Sequence, residues 1–397
     1  MTVPSTLMTS SDQPPAPLEH KIHYPALDGI RAVAILMVFF VHYVDMPWGW
    51  AGVDVFFVLS GFLITGILYD TREAPHRFRN FYIRRTLRIF PLYYLVFLFM
   101  AVTTPIFHWA WNGAWFYWIS YLGNYVRFIY IEKLIHGGMS IEALGGLMRL
   151  RQVHAFDIYL GHFWSLCVEE QFYLLWPLVV FLVKSRQKLI KICLATVITL
   201  PFVRLAATYL IPQRMLDAEI LYRLTPFRID ALLLGGLLAL WLRGEEGHMI
   251  HRFARAGFVI VMLLFFIVYA VNGLYLHVPH PYYPSSRWVS SFGFTLIDLM
   301  SAVLILLSLN PSSVVYRIFN IRPLRKLGQV SYGFYVFHDI PHQLYVLFVS
   351  EFFRLLHLPM WNLSLLIVPL CCTTALSFLS YHFFETPFLR LKDHFTR

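Results

Sequence analysis

Charge is what this sequence is shortest of. Asp, Glu, Lys and Arg supply only 14% of its 397 residues, whereas 58% are hydrophobic; a soluble domain carries roughly 25% charged and 45–50% apolar residues. A single water-soluble globule is therefore excluded. Cysteine is scarce too: Cys167, Cys193, Cys371 and Cys372 all lie within apolar runs. They offer neither a disulfide framework nor zinc-ligand spacing, so no metal site is expected. The first 25 residues hold Pro4, Pro14, Pro15 and Pro17 but lack the basic start and cleavage site of a removable signal peptide. They read as a disordered cytoplasmic tail. No repeat of fixed period is visible, which leaves a solenoid or an evidently duplicated transporter unsupported. Although the net charge is +10, no basic face interleaves with stacking aromatics, and no nucleic-acid partner is expected.

What is present is a series of apolar runs of bilayer length. Ten candidate spans are near the ~20 residues that a helix needs to cross hydrocarbon: 26–45, 51–70, 89–107, 163–183, 189–209, 226–242, 256–272, 290–309, 331–350 and 362–383. The fold class is all-α, a polytopic membrane protein. With the N-terminus inside, 21 Lys and Arg residues fall in inner segments and 8 in outer ones, which places both termini in the cytoplasm. The stretch from Ala114 to Ile131, rich in Trp, Tyr and Phe, would reverse that balance if it crossed. It reads as a re-entrant or interfacial segment, covered by protein wherever its backbone is not helical. A membrane domain over 26–389 then ends in a short cytoplasmic tail, 390–397.

Ionisable residues inside spans are costly and mark candidate sites, although some only tie helices together. In the first span Arg31 and His42 are eleven residues apart, three turns plus roughly 20°, so they share one face about 16 Å apart along the axis. A snorkelling arginine and a histidine bonded to a neighbouring span would fit that spacing equally well. Asp54 opens the second span in GVDVFFVLSGFLI, where it either orients the His42 imidazole or caps its own helix, spacing favouring the cap. Gly52 and Gly61 permit close helix approach. The inner loop RNFYIRRTLRIFPLYY sets Arg84, Arg85 and Arg88 at the membrane surface, as a phosphate clamp or as a topology anchor for anionic lipid. The fourth span, GHFWSLCVEEQFYLLWP, holds His162, Trp164, Ser165, Glu169, Glu170 and Gln171; Ser165 and Glu169 are helical neighbours and could face an acceptor. Arg228 and Asp230, Ser331, Tyr332 and His338, and Asp298, His382 and Glu385 also lie in or near spans. Each of these read alone is structural.

Taken together, the chain resembles the acyltransferase 3 family of integral membrane O-acyltransferases, from Leu27 to about Leu389. The resemblance rests on segments in family order: Leu27-Asp28-Gly29-Ile30-Arg31 with His42 eleven residues on, Gly52 to Gly61, Arg85 to Arg88 with Pro91, Trp164 to Tyr173, Arg228 to Gly235, Ser331 to His338, and Tyr381 to Pro387. It implies transfer of an acyl group, commonly acetyl, from cytoplasmic acyl-CoA to a hydroxyl of a cell-envelope glycan, a lipid-linked sugar or a glycosylated small molecule. It also implies that His42 is catalytic and that Arg31, Arg85 and Arg88 serve the donor. Some relatives add a C-terminal hydrolase-like SGNH domain; this chain ends soon after its last span, so none is expected. Asp54 or Glu169 is expected to orient His42, while Trp164, Ser165, Glu170 and Tyr332 are expected around the substrate, some as donors to a developing oxyanion. The alternative is a transporter of a sugar or organic anion, using the buried His, Asp and Glu for proton coupling. Oligomeric state is not readable from the sequence.

Overall fold

The computed structural model describes residues 24–107, 115–137, 160–217, 219–245, 247–271, 274, 284, 286–339, 351–352, 354–355 and 364–395. Among them there is no strand. The helices used below are α1 (Pro25–Val44), α2 (Ala51–Asp70), α3 (Arg77–Phe107), α4 (Val126–His136), α5 (Trp164–Leu182), α6 (Arg186–Leu210), α7 (Ile229–Trp241), α8 (Gly247–Ala270) and α9 (Phe294–Ser308). They continue as α10 (Val314–Phe319), α11 (Arg322–Gln329), α12 (Ser331–Phe337), α13 (Ser364–Leu379) and α14 (Thr386–Phe395). Seven helical stretches are long and apolar enough to cross a membrane, with shorter apolar helices at Ile229–Trp241 and Ala256–Ala270. These nine match nine of the ten expected spans. The tenth, 331–350, is described only at its start, and the expected N-terminal tail lies outside the described residues up to position 23. Over the expected C-terminal tail the chain is helical through Phe395.

Small residues let the central helices meet backbone to backbone. A Cβ added to Gly61 of α2 would stand 1.8 Å from the Leu232 carbonyl oxygen of α7, and one on Gly235 would stand 1.9 Å from that of Val58. Only glycine admits such an approach, which replaces the hydrophobic drive that lipid cannot supply. Charge locks the same crossing: Arg228, at the head of α7, donates to Asp54 of α2, and both are wholly buried. One turn away Arg204 of α6 holds Asp230 at 2.9 Å, and Asp230 accepts from Thr295 of α9 at the same distance. A charge removed from water needs partners of this kind, so Asp54, Arg204, Arg228, Asp230 and Asp298 bind α2, α6, α7 and α9 together.

The aromatic segment after α3 does not cross as one helix. It breaks into a one-turn helix, Trp115–Ile119, a tighter turn at Gly123–Tyr125, and α4. Backbone without helical partners must find others inside protein. The Tyr93 and Tyr94 hydroxyls of α3 donate to the Trp118 and Ile119 carbonyls at 2.6 and 3.0 Å, and Gln171 of α5 donates to the Tyr121 carbonyl at 2.8 Å. Tyr121, at φ 56°, is thus fixed between α3 and α5.

The start of α1 is wedged against α10 and α11. A Cβ on Gly29 would meet the Phe319 carbonyl oxygen at 1.8 Å, and one on Gly328 would meet that of Asp28 at 1.7 Å. The first turn of α1, three residues before Arg31, is thereby fixed.

Candidate active site

Two polar groups face the inside of the bundle at different depths. The first gathers around Arg31, which donates to Asp28 one turn earlier at 2.6 Å. Its charge and that of Arg85 both act on Arg88, opposed by the Glu385 carboxylate. Three guanidinium groups from α1 and α3 therefore share one field, and Arg88 is exposed. Such a cluster repels itself unless an anion is near. Glu385 comes inward because a π-helical turn, Ser380–Glu385, joins α13 to α14. Ser380 donates to its Oε1 at 2.9 Å, and Gly333 of α12 leaves the room that this oxygen occupies.

The Arg85 guanidinium lies over the Tyr173 ring at 3.8 Å, a stacking that suits its planar charge. The charges of Glu169 and Glu170 act on it. Glu169 accepts from Ser60 of α2 at 2.6 Å. Tyr332 donates to the Ile89 carbonyl at 2.6 Å and lies in the field of Glu385, Glu170, Arg85 and Arg88. The structure thus brings Arg31, Arg85, Arg88, Glu169, Glu170 and Tyr332 into one polar zone.

The second group surrounds His42 at the far end of α1. Both Arg31 and His42 keep about a fifth of their side chains exposed, 22% and 21%. Between them Ile35 and Val38 are buried, so the polar link is not built on α1. It is built on α5 and α12. Ser165 and Tyr335 share a hydrogen bond at 2.5 Å, and Tyr335 also donates to the His162 carbonyl. Beyond them His338 lies with its ring 5.1 Å from that of His42 and 5.0 Å from that of His162.

The carboxylate at His42 belongs to Asp339. One of its oxygens lies 3.7 Å from His42 Nδ1, the other 3.5 Å from His162 Nδ1. Asp54, expected either to orient His42 or to cap α2, instead serves Arg228, and the N-cap of α2 is Trp50. Glu169 likewise stands with Ser60 and the arginines. His162 precedes α5 in a 3₁₀ turn, Gly161–Phe163, with its Nδ1 3.5 Å from Asp339. Trp164 is buried, with its ring 4.7 Å from that of Tyr222. Sequence reasoning missed Asp339 and left His162 without a role. The available signal was a carboxylate inside an expected span, directly after His338.

An arrangement with cations at one depth, carboxylates and hydroxyls between, and an imidazole on a carboxylate at the other can hold an anionic ligand and move a proton some distance away. The family model for the acyltransferase 3 domain, described as an acyltransferase domain, matches residues 24–382. A Bacillus subtilis (strain 168) protein named "Putative peptidoglycan O-acetyltransferase YrhL" is 30% identical over 394 residues, 93% of this chain and 55% of the relative. The O-acetyltransferase OatA of Staphylococcus aureus (strain NCTC 8325 / PS 47) is 28% identical, covering 92% of this chain and 57% of its own. The peptidoglycan O-acetyltransferase OatA of Listeria monocytogenes is 28% identical, covering 92% and 56%. The chain spans about half the length of these curated relatives. No solved structure matches. From its first described helix almost to its last, the chain belongs to the acyltransferase 3 family, with the all-α polytopic build of a membrane protein.

Proposed function

We propose that this protein moves an acetyl group from acyl-CoA, supplied from the cytoplasm, to a hydroxyl of a cell-envelope glycan, in the bacterial cell membrane and with both termini cytoplasmic. The carrying observation is the separation of Arg31, Arg85 and Arg88 from the His42–Asp339 pair, with Glu169, Ser165 and Tyr335 between. The arginines hold the phosphates of the donor; guanidinium forks suit phosphate oxygens. The thioester lies toward His42. The names of the relatives, peptidoglycan O-acetyltransferases among them, support a glycan acceptor.

His42 turns Nδ1 toward Asp339, 3.7 Å away, and in this reading carries its hydrogen there, which leaves the basic lone pair on Nε2. Nε2 takes the proton of the acceptor hydroxyl as its oxygen bonds to the thioester carbon. The carbon–sulfur bond then breaks, and the imidazolium returns the proton to the thiolate. Asp339 stabilises the imidazolium in between, as a carboxylate does in other His-based acyl transfers. Trp164, Ser165, Glu170 and Tyr332 line the substrate path in this reading.

The test is CoA release by the purified full chain, reconstituted in lipid with acetyl-CoA and a soluble chitooligosaccharide or muramyl glycan. Acceptor-dependent release in the wild type and its loss, by a factor of about 10² or more, in His42→Ala is the expected result. Full residual transfer in that variant removes His42 as the base.

A further inference from the structure

Each arginine of the donor cluster has an acid to answer it. Arg31 holds Asp28 at 2.6 Å, and Arg85 stands in the field of Glu169 and Glu170. For Arg88, the exposed member, the opposing carboxylate is Glu385. Glu385 arrives there through an irregularity of the backbone. Ser377 of α13 faces Gly333 of α12, its Cβ 3.7 Å from a Cβ built on that glycine. Along a regular helix, position 385 would point roughly 80° away from Ser377. The π-helical turn Ser380–Glu385 takes up one extra residue. That cuts the difference to roughly 20° and returns Glu385 to the same side, with Oε1 3.1 Å from the same point on Gly333.

The carboxylate is held in place there. Ser380 donates to Oε1 at 2.9 Å, the Thr386 hydroxyl closes the turn on the Tyr381 carbonyl at 2.6 Å, and Glu385 is 8% exposed. The turn packs on α3, which carries Arg88. Tyr332, next to Gly333, donates to the Ile89 carbonyl of α3 at 2.6 Å. One frame of α3, α12 and α13 therefore fixes the position of this anion relative to the cluster.

We propose that Glu385 is the resident counter-anion of the arginine cluster: it offsets part of the cationic field, weakens the grip on the donor polyphosphate and lets free CoA leave after transfer. The inference rests on the reading of Arg31, Arg85 and Arg88 as the residues that hold the donor phosphates. Those contacts are made equally before and after the reaction, so strengthening them does not speed the chemical step. A fixed carboxylate lowers this uniform binding without removing the guanidinium forks that recognise phosphate. Glu385 acts on the ligand only through the field at Arg88, as a positioning residue.

Calorimetric titration of the full chain in lipid nanodiscs with CoA, and separately with inorganic pyrophosphate, tests this. Glu385→Gln keeps an oxygen for Ser380 and removes the charge; both ligands should bind about tenfold more tightly, and CoA should inhibit acetyl transfer correspondingly better. Glu385→Asp and Ser380→Ala, which keep the charge, should stay near the wild type. A purely structural role would lower affinity or leave it alone. Unchanged or weaker binding in Glu385→Gln, where the wild type binds both ligands, therefore overturns the proposal. If Glu385→Gln does not fold, Glu385→Met decides by the same comparison. Tighter pyrophosphate binding with no CoA binding in either protein leaves the counter-anion standing and removes the proposed donor; a wild type that binds neither ligand removes both.

Discussion

The Arg228 guanidinium meets the Asp54 carboxylate across the contact of α2 with α7, with no part of either side chain exposed. A second carboxylate, Asp298 of α9, lies 4.0 Å from the same guanidinium. One cation therefore ties three helices, and removing it leaves two buried anions facing each other.

Breaking this pair from one side should be costly. Arg228→Met is expected to destabilise the fold by about 3–5 kcal/mol, the loss seen when one partner of a buried pair is deleted. Thermal unfolding in detergent measures it. Exchanging both residues for apolar ones of similar size, Asp54→Leu with Arg228→Met, should recover part of the loss.

The glycine crossing gives a steric prediction. Gly61→Val sets side-chain atoms where the Leu232 carbonyl stands, so α2 and α7 must part. Overpacking of 1–3 kcal/mol or more follows, visible as a lower yield of monodisperse protein on fluorescence-detected size exclusion. Gly257→Val is the control, since nothing lies within 4 Å of a Cβ there.

Ser60→Ala removes a hydroxyl that donates to Glu169. A hydrogen bond to a charged group is worth about 1.5–3 kcal/mol, so kcat/KM for acetyl transfer should fall at least tenfold. Ser60→Thr should retain most of the activity, and its unfolding temperature should lie above that of Ser60→Ala.

Arg85→Ala with Arg88→Ala tests the donor contacts. The expected outcome is a rise of at least tenfold in KM for acetyl-CoA, with the salt dependence of binding reduced as two phosphate contacts are lost. Calorimetric titration with CoA gives the same comparison without turnover; unchanged affinity removes the clamp.

The helices were legible because lipid demands long apolar runs, and these stand out in composition alone. The common face of Arg31 and His42 followed from helical periodicity, a local property. Partners in the bundle were not legible in the same way. Asp54 and Arg228 are separated by 174 residues, and a carboxylate near His42 in sequence gave no sign that Arg228 would claim it. The place of His162 was not legible because it stands in the 3₁₀ turn Gly161–Phe163 before α5, where helical periodicity does not fix a side chain's direction. Asp339 was readable in kind, as an acid within an apolar segment, but its two histidine partners come from α1 and from the turn before α5.

The rigid rise of α1 also acts as a gauge. Its first turn is seated against Phe319 and Gly328, and Tyr43 at its far end is bonded to the His338 carbonyl at 2.8 Å. The axial gap of about 16 Å between Arg31 and His42 is therefore not adjustable by sliding the helix. Under the proposed function, only a molecule that carries its anionic head and its reactive carbon at that remove engages both at once, so an acetyl thioester on a short thiol would dock at one station and leave the other empty.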